Sequence, residues 1–232
     1  MLKPLVDCFI AGTLVHTKDG LKPIEEIKVG DWVLSRPENP EMGTETAYKR
    51  VANTFRFENK PVVSLSWVQR PVDDSTGEKK GDRTSMFDWV FATPNHPVWV
   101  DGHGWMAAER LFEPSGRRRR PHLLHPEEWY RPLLRLADGS ACHITGVSDC
   151  FRTDQPQVVY TEESYEFLES GHSWDFNESP PKLISNKVAF DMENWVDEET
   201  GEPVVFTTTV YKIEVEDWHT YFVGSTGLWV RQ

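Results

Sequence analysis

Cys8, in "DCFIAGTLV", is a thiol set immediately before an apolar, strand-like run. Thr93 and His96 stand three residues apart in "TPNHP", and His219 precedes the apolar run of "DWHTYFV". A thiol, a hydroxyl and two imidazoles are the parts that nucleophilic acyl chemistry requires. The sulfur attacks, an imidazole moves the proton, and hydroxyl or amide groups hold the oxyanion. Such parts usually come from remote stretches of chain, as these do. Each also has a plainer reading alone: Cys8 as core filler, Thr93 bonding its own turn, each histidine a satisfied core residue.

The elements that must position these groups read as β almost throughout. In residues 12–35, "TLVHT" reads as a strand, "KDG" as a tight turn, "KPIEEI" as one helical turn opened by proline, and "GDWVLS" as another strand. Residues 46–69 hold two further β-rich runs, and residues 69–85 an exposed tip or loop with few apolar side chains. "MFDWVFATPNHPVWV" (86–100) is β again, broken at "TPNHP" by two prolines. In "GWMAAERLF" the positions of Trp105, Ala108, Leu111 and Phe112 predict a short amphipathic helix. β signal returns over 203–217 and runs on through "TYFV" and "LWV", joined by the turn-like "GSTG". "VHTKDGLKPIEEIKVGDWVLS" and "VWVDGHGWMAAERLFEPSG" echo one another as strand, Gly-containing turn and short helix, a hint of a duplicated half.

Composition excludes several classes. A formal net charge of −12 argues against a general nucleic-acid binder, because phosphates repel an acidic surface. The basic run "RRRR" (117–120) is read as a solvated loop, with a nucleic-acid patch as the sharper alternative. No stretch of eighteen apolar residues exists to span a membrane, and the N-terminus lacks the h-region of an export signal. The chain's 10 Trp and 12 Phe can fill a substantial core. Cys142 and Cys150 are read as free thiols, with a zinc site shared with His143 as the alternative. Residues 154–202, acidic and Pro-containing, read as a partly ordered insertion.

Taken together, three blocks carry a resemblance. "CFIAGTLVHTKDGLKPIEEIKVGDWVLS" resembles the opening block of the Hint (hedgehog/intein) superfamily, "TPNHPVWV" its Thr-x-x-His block, and "VYKIEVEDWHTYFVGSTGLWV" its closing block. The flavour is that of bacterial intein-like and pretoxin Hint domains. The resemblance spans about residues 8–110 and 204–232, with 113–203 left as a family-specific insertion inside a Hint domain of 8–232. Residues 1–7 would be the flank that precedes it.

The resemblance implies an all-β horseshoe of pseudo-twofold symmetry whose two chain ends meet at one site. It implies a monomer acting in cis on its flanking polypeptide, without cofactor, metal, nucleic acid or membrane. Cys8 would attack the carbonyl of Asp7 through a five-membered ring, turning the Asp7–Cys8 peptide bond into a thioester by an N-to-S acyl shift. His96 would bond the scissile nitrogen and act as acid, Thr93 would hold that amide or its oxyanion, and His219 would assist at the downstream junction. The β-carboxylate of Asp7 could then open the thioester through a cyclic anhydride, making hydrolysis easy.

Two departures stand out. Where the family ends in His-Asn, this chain has Arg231 and Gln232. Glutamine closes a six-membered imide less readily, and a permanently protonated arginine is a poor proton shuttle. Lys212 stands where splicing relatives often carry an acidic residue. Two other readings keep the fold: passage of the thioester to an outside nucleophile, as in hedgehog-type domains, or a scaffold whose catalysis has decayed.

Overall fold

The computed structural model describes residues 6–69, 86–115, 118–121, 133–162, 171–185, 197–201 and 203–232. The opening block forms β1 (Phe9–Ile10), the hairpin of β2 (Leu14–Thr17) and β3 (Gly20–Pro23), and then β4 (Trp32–Ser35). Pro23 opens a single 3-10 turn at Ile24–Glu26, because its fixed φ suits a helix start and it has no N–H to leave unpaired. The next runs become β5 (Ala47–Pro61), β6 (Val63–Gln69), β7 (Met86–Ala92) and β8 (Pro97–Val100). The ladder breaks at Thr93–His96, between β7 and β8, and Pro97 takes the first place of a strand, where its missing donor costs least. The tip expected over 69–85 lies, beyond Gln69, outside the described residues.

Residues 104–112 do not form the expected amphipathic helix. β9 (Gly104–Ala107) pairs back on β8, with Trp105 opposite Trp99, and only a 3-10 turn at Ala108–Leu111 follows. An i, i+3 spacing suits a three-residue turn as well as an α-helix. Cross-strand packing of the two indoles, 5.3 Å apart, then decides for the strand. β10 (Phe112–Ser115) pairs with β11 (Arg118–Pro121), so the basic run reads as a loop but its described part is a strand. Beyond it come β12 (Leu133–Arg135), β13 (Ala141–Arg152), β14 (Val158–Glu162), β15 (Gly171–Asp175) and β16 (Lys182–Ser185). β17 (Thr207–Val215), β18 (Thr220–Val223) and β19 (Leu228–Arg231) close the chain.

Seventeen of these strands join one hydrogen-bonded network, with β10 and β11 apart. The sequence echo is real in three dimensions. Each copy is a hairpin followed by a 3-10 turn, β2–β3 in one and β8–β9 in the other. The copies flank the closing hairpin, through Val15 opposite Val223 and Val98 opposite Val230. β12 and β13 are built into the same sheet, against β8 and β6, and their Leu134, Leu136, Ile144 and Val147 belong to the main core. Among the described residues, no helix is long and apolar enough to cross a membrane.

Among the described residues, two apolar clusters fill the interior. The larger holds Phe9, Trp67 and Tyr221, all but inaccessible, each worth about 2–3 kcal/mol of burial. The smaller surrounds Cys8 with Ile10, Phe91, Trp174, Phe206 and Val210. Trp174 and Phe176, from β15 and just beyond it, stack edge-on against Phe91 at 5.2 and 5.0 Å, so strands from the 154–202 segment wall the Cys8 side. Gly12 lets that wall close. It sits at φ +79°, and a Cβ there would stand 2.6 Å from Pro180.

The turn of the closing hairpin is tied down by a buried carboxylate. Asp88 on β7 accepts hydrogen bonds from Ser225 Oγ (2.8 Å), Thr226 N (2.8 Å) and Thr226 Oγ1 (3.0 Å), and Trp67 Nε1 donates to Thr226 Oγ1. Asp88→Ala orphans three donors at once. The expected cost is about 2–4 kcal/mol, read as a lower urea midpoint at unchanged slope. An unmoved midpoint would show the anchor to be redundant.

Candidate active site

The short β1 lies between β17, where Phe9 faces Tyr211, and β7, where Phe9 faces Ala92. Thr93 is the first residue beyond β7, so the ladder itself carries it to the residues just before Phe9. It grips that segment three ways. Cys8 N–H donates to Thr93 Oγ1 at 3.0 Å, Thr93 Oγ1 donates to Val6 O at 2.8 Å, and Thr93 N–H donates to Cys8 O at 2.9 Å. The amide nitrogen of the Asp7–Cys8 bond is therefore held by Thr93 and not by His96.

His96 closes the same turn, its N–H donating to Thr93 O and its carbonyl accepting from Ala108 N. Its ring is wholly buried, 4.1 Å from that of Phe9, and among the described residues neither ring nitrogen has a hydrogen-bond partner. Burial first, then the charge of Lys212, lowers its pKa to about 3. The imidazole is neutral, with one donor and one acceptor both unspent. Cys8 is fully buried as well, and burial pushes its thiol up to about 12, against the opposing charge of Lys212. The nucleophile rests protonated and the base rests neutral.

Residues that the motifs did not mark complete the cluster. Asn95 Nδ2 donates to Asp7 Oδ1, and Lys212 Nζ stands 4.0 Å from Asp7 Oδ2. Burial raises the Asp7 carboxyl, while Lys212 and Arg231 pull it back. Tyr221 is buried edge-on to Phe9 at 6.2 Å, and its hydroxyl has no partner among the described residues. Burial holds that hydroxyl well above its ordinary value, with Cys8 and Asp7 adding to the effect. Asn95 could have been noticed inside "TPNH". Lys212 stood out in the sequence only through the resemblance, and Tyr221 looked like any apolar strand residue.

His219 and Gln232 form a second group. His219, at φ 55°, receives the Gln232 side-chain amide on Nδ1 at 2.8 Å, while its carbonyl accepts from Gln232 N at 3.1 Å. Gln232 Oε1 accepts from Val215 N. Arg231 is held by Glu38 at 2.6 Å and lies 5.7 Å from the Trp105 ring. His219 also borders an aromatic cleft of about 460 Å³, lined by Trp99, Trp105 and Trp218 among others. Among the described residues, no hydrogen bond links this pair to the Cys8 cluster.

The structure rules out the zinc alternative. Cys142 and Cys150 lie eight residues apart along β13, roughly 25 Å for an extended strand, and belong to different apolar clusters. None of the three cysteines is in a disulfide. Among the described residues, no group of three or more His, Cys, Asp or Glu side chains is arranged to hold a metal.

A continuous β network built from two hairpin-plus-turn copies around a closing hairpin is the Hint/intein-like fold. A bacterial intein-like domain from Clostridium thermocellum, solved in solution, is similar to this chain with a TM-score of 0.50 and 20% identity. The match covers 98% of this chain and 100% of that one. Further matches are the gp41-1 intein (TM-score 0.47, 14% identity, 98% and 100% covered) and a DnaB intein from Synechocystis sp. PCC 6803 (0.48, 10%, 97% and 98%). The fold assignment rests on the first. No family model matches the chain, and no curated protein does.

Proposed function

We propose that this chain is an autoprocessing Hint domain, acting in cis on the polypeptide joined to it through a thioester at Asp7–Cys8. The observation that carries the reading is the setting of one amide. Thr93 Oγ1 holds its N–H at 3.0 Å, the Cys8 thiol is fully buried, and the equally buried His96 imidazole, with two unspent nitrogens, packs against Phe9, the next residue in the chain. His96 takes the proton of the Cys8 thiol. The sulfur forms a bond to the Asp7 carbonyl carbon, the C–N bond breaks, and the same proton passes to the departing nitrogen, leaving thioester and free amine. The low proton affinity of His96 makes it a weak base and, once charged, a strong acid toward that nitrogen.

Release of the upstream segment follows when water or an added thiol opens the thioester. With flanks on both sides, a downstream nucleophile could take the acyl group instead. His219 stands as acceptor to the Gln232 amide nitrogen, which is the posture of a base for imide closure. Arg231, locked to Glu38, offers no proton exchange there, which favours upstream cleavage over splicing. A module of this kind would free a flanking effector, as pretoxin domains do.

The test is a fusion with a reporter before Asp7 and a folded domain after Gln232, followed by intact mass over time. Dithiothreitol should release the reporter as its thiol adduct. A reporter that stays attached with and without thiol would leave the chain a scaffold. Asp7 adds a second expectation. Its carboxylate, held by Asn95, lies within one ring closure of the thioester carbonyl, so Asp7→Gly should slow thiol-free hydrolytic release about tenfold or more. Equal rates would remove the anhydride route.

A further inference from the structure

We infer that Lys212 is a further catalytic residue for this reaction, its ammonium group stabilising the negative charge that develops on the Asp7 carbonyl oxygen as Cys8 attacks. The inference rests on the autoprocessing reading and adds a residue to it.

The backbone sets the direction. The carbonyls of Val6 and Cys8 both accept hydrogen bonds from Thr93, so both point to the β7 side of the chain. Successive carbonyls of an extended segment point to opposite sides, so that of Asp7 points to the β17 side. Phe9 faces Tyr211 and Ile10 faces Val210 in the antiparallel pair. The residue beside Cys8 on that side is therefore Lys212. Its Nζ lies 4.0 Å from the Asp7 carboxylate, and its side chain is only 25% exposed, so water screens the charge incompletely.

Thr93 cannot supply the oxyanion donor, being committed to the other side of the chain. His96 is occupied with the proton. A cation on the opposite flank is what the tetrahedral intermediate lacks, and Lys212 supplies one. Its field is already felt across the site, easing ionisation of Cys8 and Asp7 and opposing protonation of His96. All three effects report a positive field at the reaction centre, which favours the thiolate and the oxyanion and makes the proton held on His96 easier to pass to the departing nitrogen. An acidic side chain at this position would do the reverse, so this chain runs the step with the charge at this flank inverted.

The reporter fusion tests the inference through Lys212→Met, Lys212→Gln and Lys212→Arg, each checked for folding by its unfolding midpoint. Loss of charge in the Met and Gln variants should slow thiol-driven release about 10- to 100-fold at pH 7. The deficit should persist from pH 7 to pH 9, because the buried Cys8 thiol, pushed up to about 12, stays protonated across that range and the oxyanion needs the charge at either end. Lys212→Arg, which keeps the charge, should retain most of the rate. The slowing should persist in an Asp7→Asn background, because the oxyanion is on the backbone. Wild-type rates in the Met and Gln variants would overturn the inference. So would an arginine variant as slow as they are, or a slowing that vanishes with Asp7→Asn, which would reduce Lys212 to a partner of that carboxylate. A wild-type fusion that releases nothing would instead sink the autoprocessing reading itself.

Discussion

Cys8→Ala is expected to abolish release of the upstream segment, a loss of more than about 10³-fold, because no other group can form the acyl intermediate. The variant should stay folded. Truncating a cysteine to alanine in the smaller apolar cluster removes one sulfur, at a cost on the order of 1 kcal/mol. Cys8→Ser separates chemistry from packing. Its hydroxyl can attack the same carbonyl, giving a slower reaction through an ester that hydroxylamine should open. Intact mass of the reporter fusion reads all three proteins. Continued release from the alanine variant would show that the Asp7–Cys8 bond is cut by some other means.

His96→Phe is expected to lower the rate by about 10²–10⁴, the usual range for losing a positioned acid–base group. The substitution keeps a ring against Phe9 and removes both nitrogens. It should also change stability in the opposite sense. The His96 ring is buried, makes no hydrogen bond among the described residues, and protonates only near pH 3 when folded, against about 6.5 when unfolded. The unfolded chain therefore takes up a proton first as pH falls. Stability is complete above about pH 6.5 and declines as pH drops toward 3, by up to about 1.4 kcal/mol per pH unit from this residue. His16, whose pKa burial also lowers, bends the curve the same way. Urea midpoints between pH 4 and 7 should thus fall less steeply in His96→Phe than in wild type. Parallel curves would mean that His96 is solvated or paired in solution, and the neutral-shuttle mechanism would go with it.

The two expectations bear on two buried groups packed around the same segment of chain. A thiol near 12 and an imidazole near 3 are poor reagents in water, and burial is the first cause of both values. The same dryness strengthens any charge placed nearby, which is why a partly covered lysine matters here and would not on an open surface.

Much of the architecture was legible in the residues. Strand-like apolar runs marked most described strands in 8–110 and 203–232, with β3 and β9 read instead as turn and helix, and prolines marked where β7 gives way to β8. The spacing of Trp105, Ala108, Leu111 and Phe112 misled, because a three-residue period fits a strand with a 3-10 turn as well as a helix. The acidic 154–202 segment reads as a partly ordered insertion because its aromatic residues are isolated. Trp174 and Phe176 nevertheless cover the side of the site that the opening and closing blocks leave bare.

The chemistry divides along the same line. Residue types and order alone determined which groups are present: a thiol after Asp7, the Thr-x-x-His pair, and Arg231 followed by Gln232. Those follow from local rules that act over a few positions. Only the tertiary structure decided that Thr93 rather than His96 holds the amide, that His219 pairs with Gln232, and that Lys212 stands beside the Asp7 carboxylate. The partners are separated by 85 residues in the case of Cys8 and Thr93 and by more than 200 in that of Asp7 and Lys212. Their proximity comes from strand register, and their ionisation from water excluded by distant walls, neither of which any short stretch of sequence encodes.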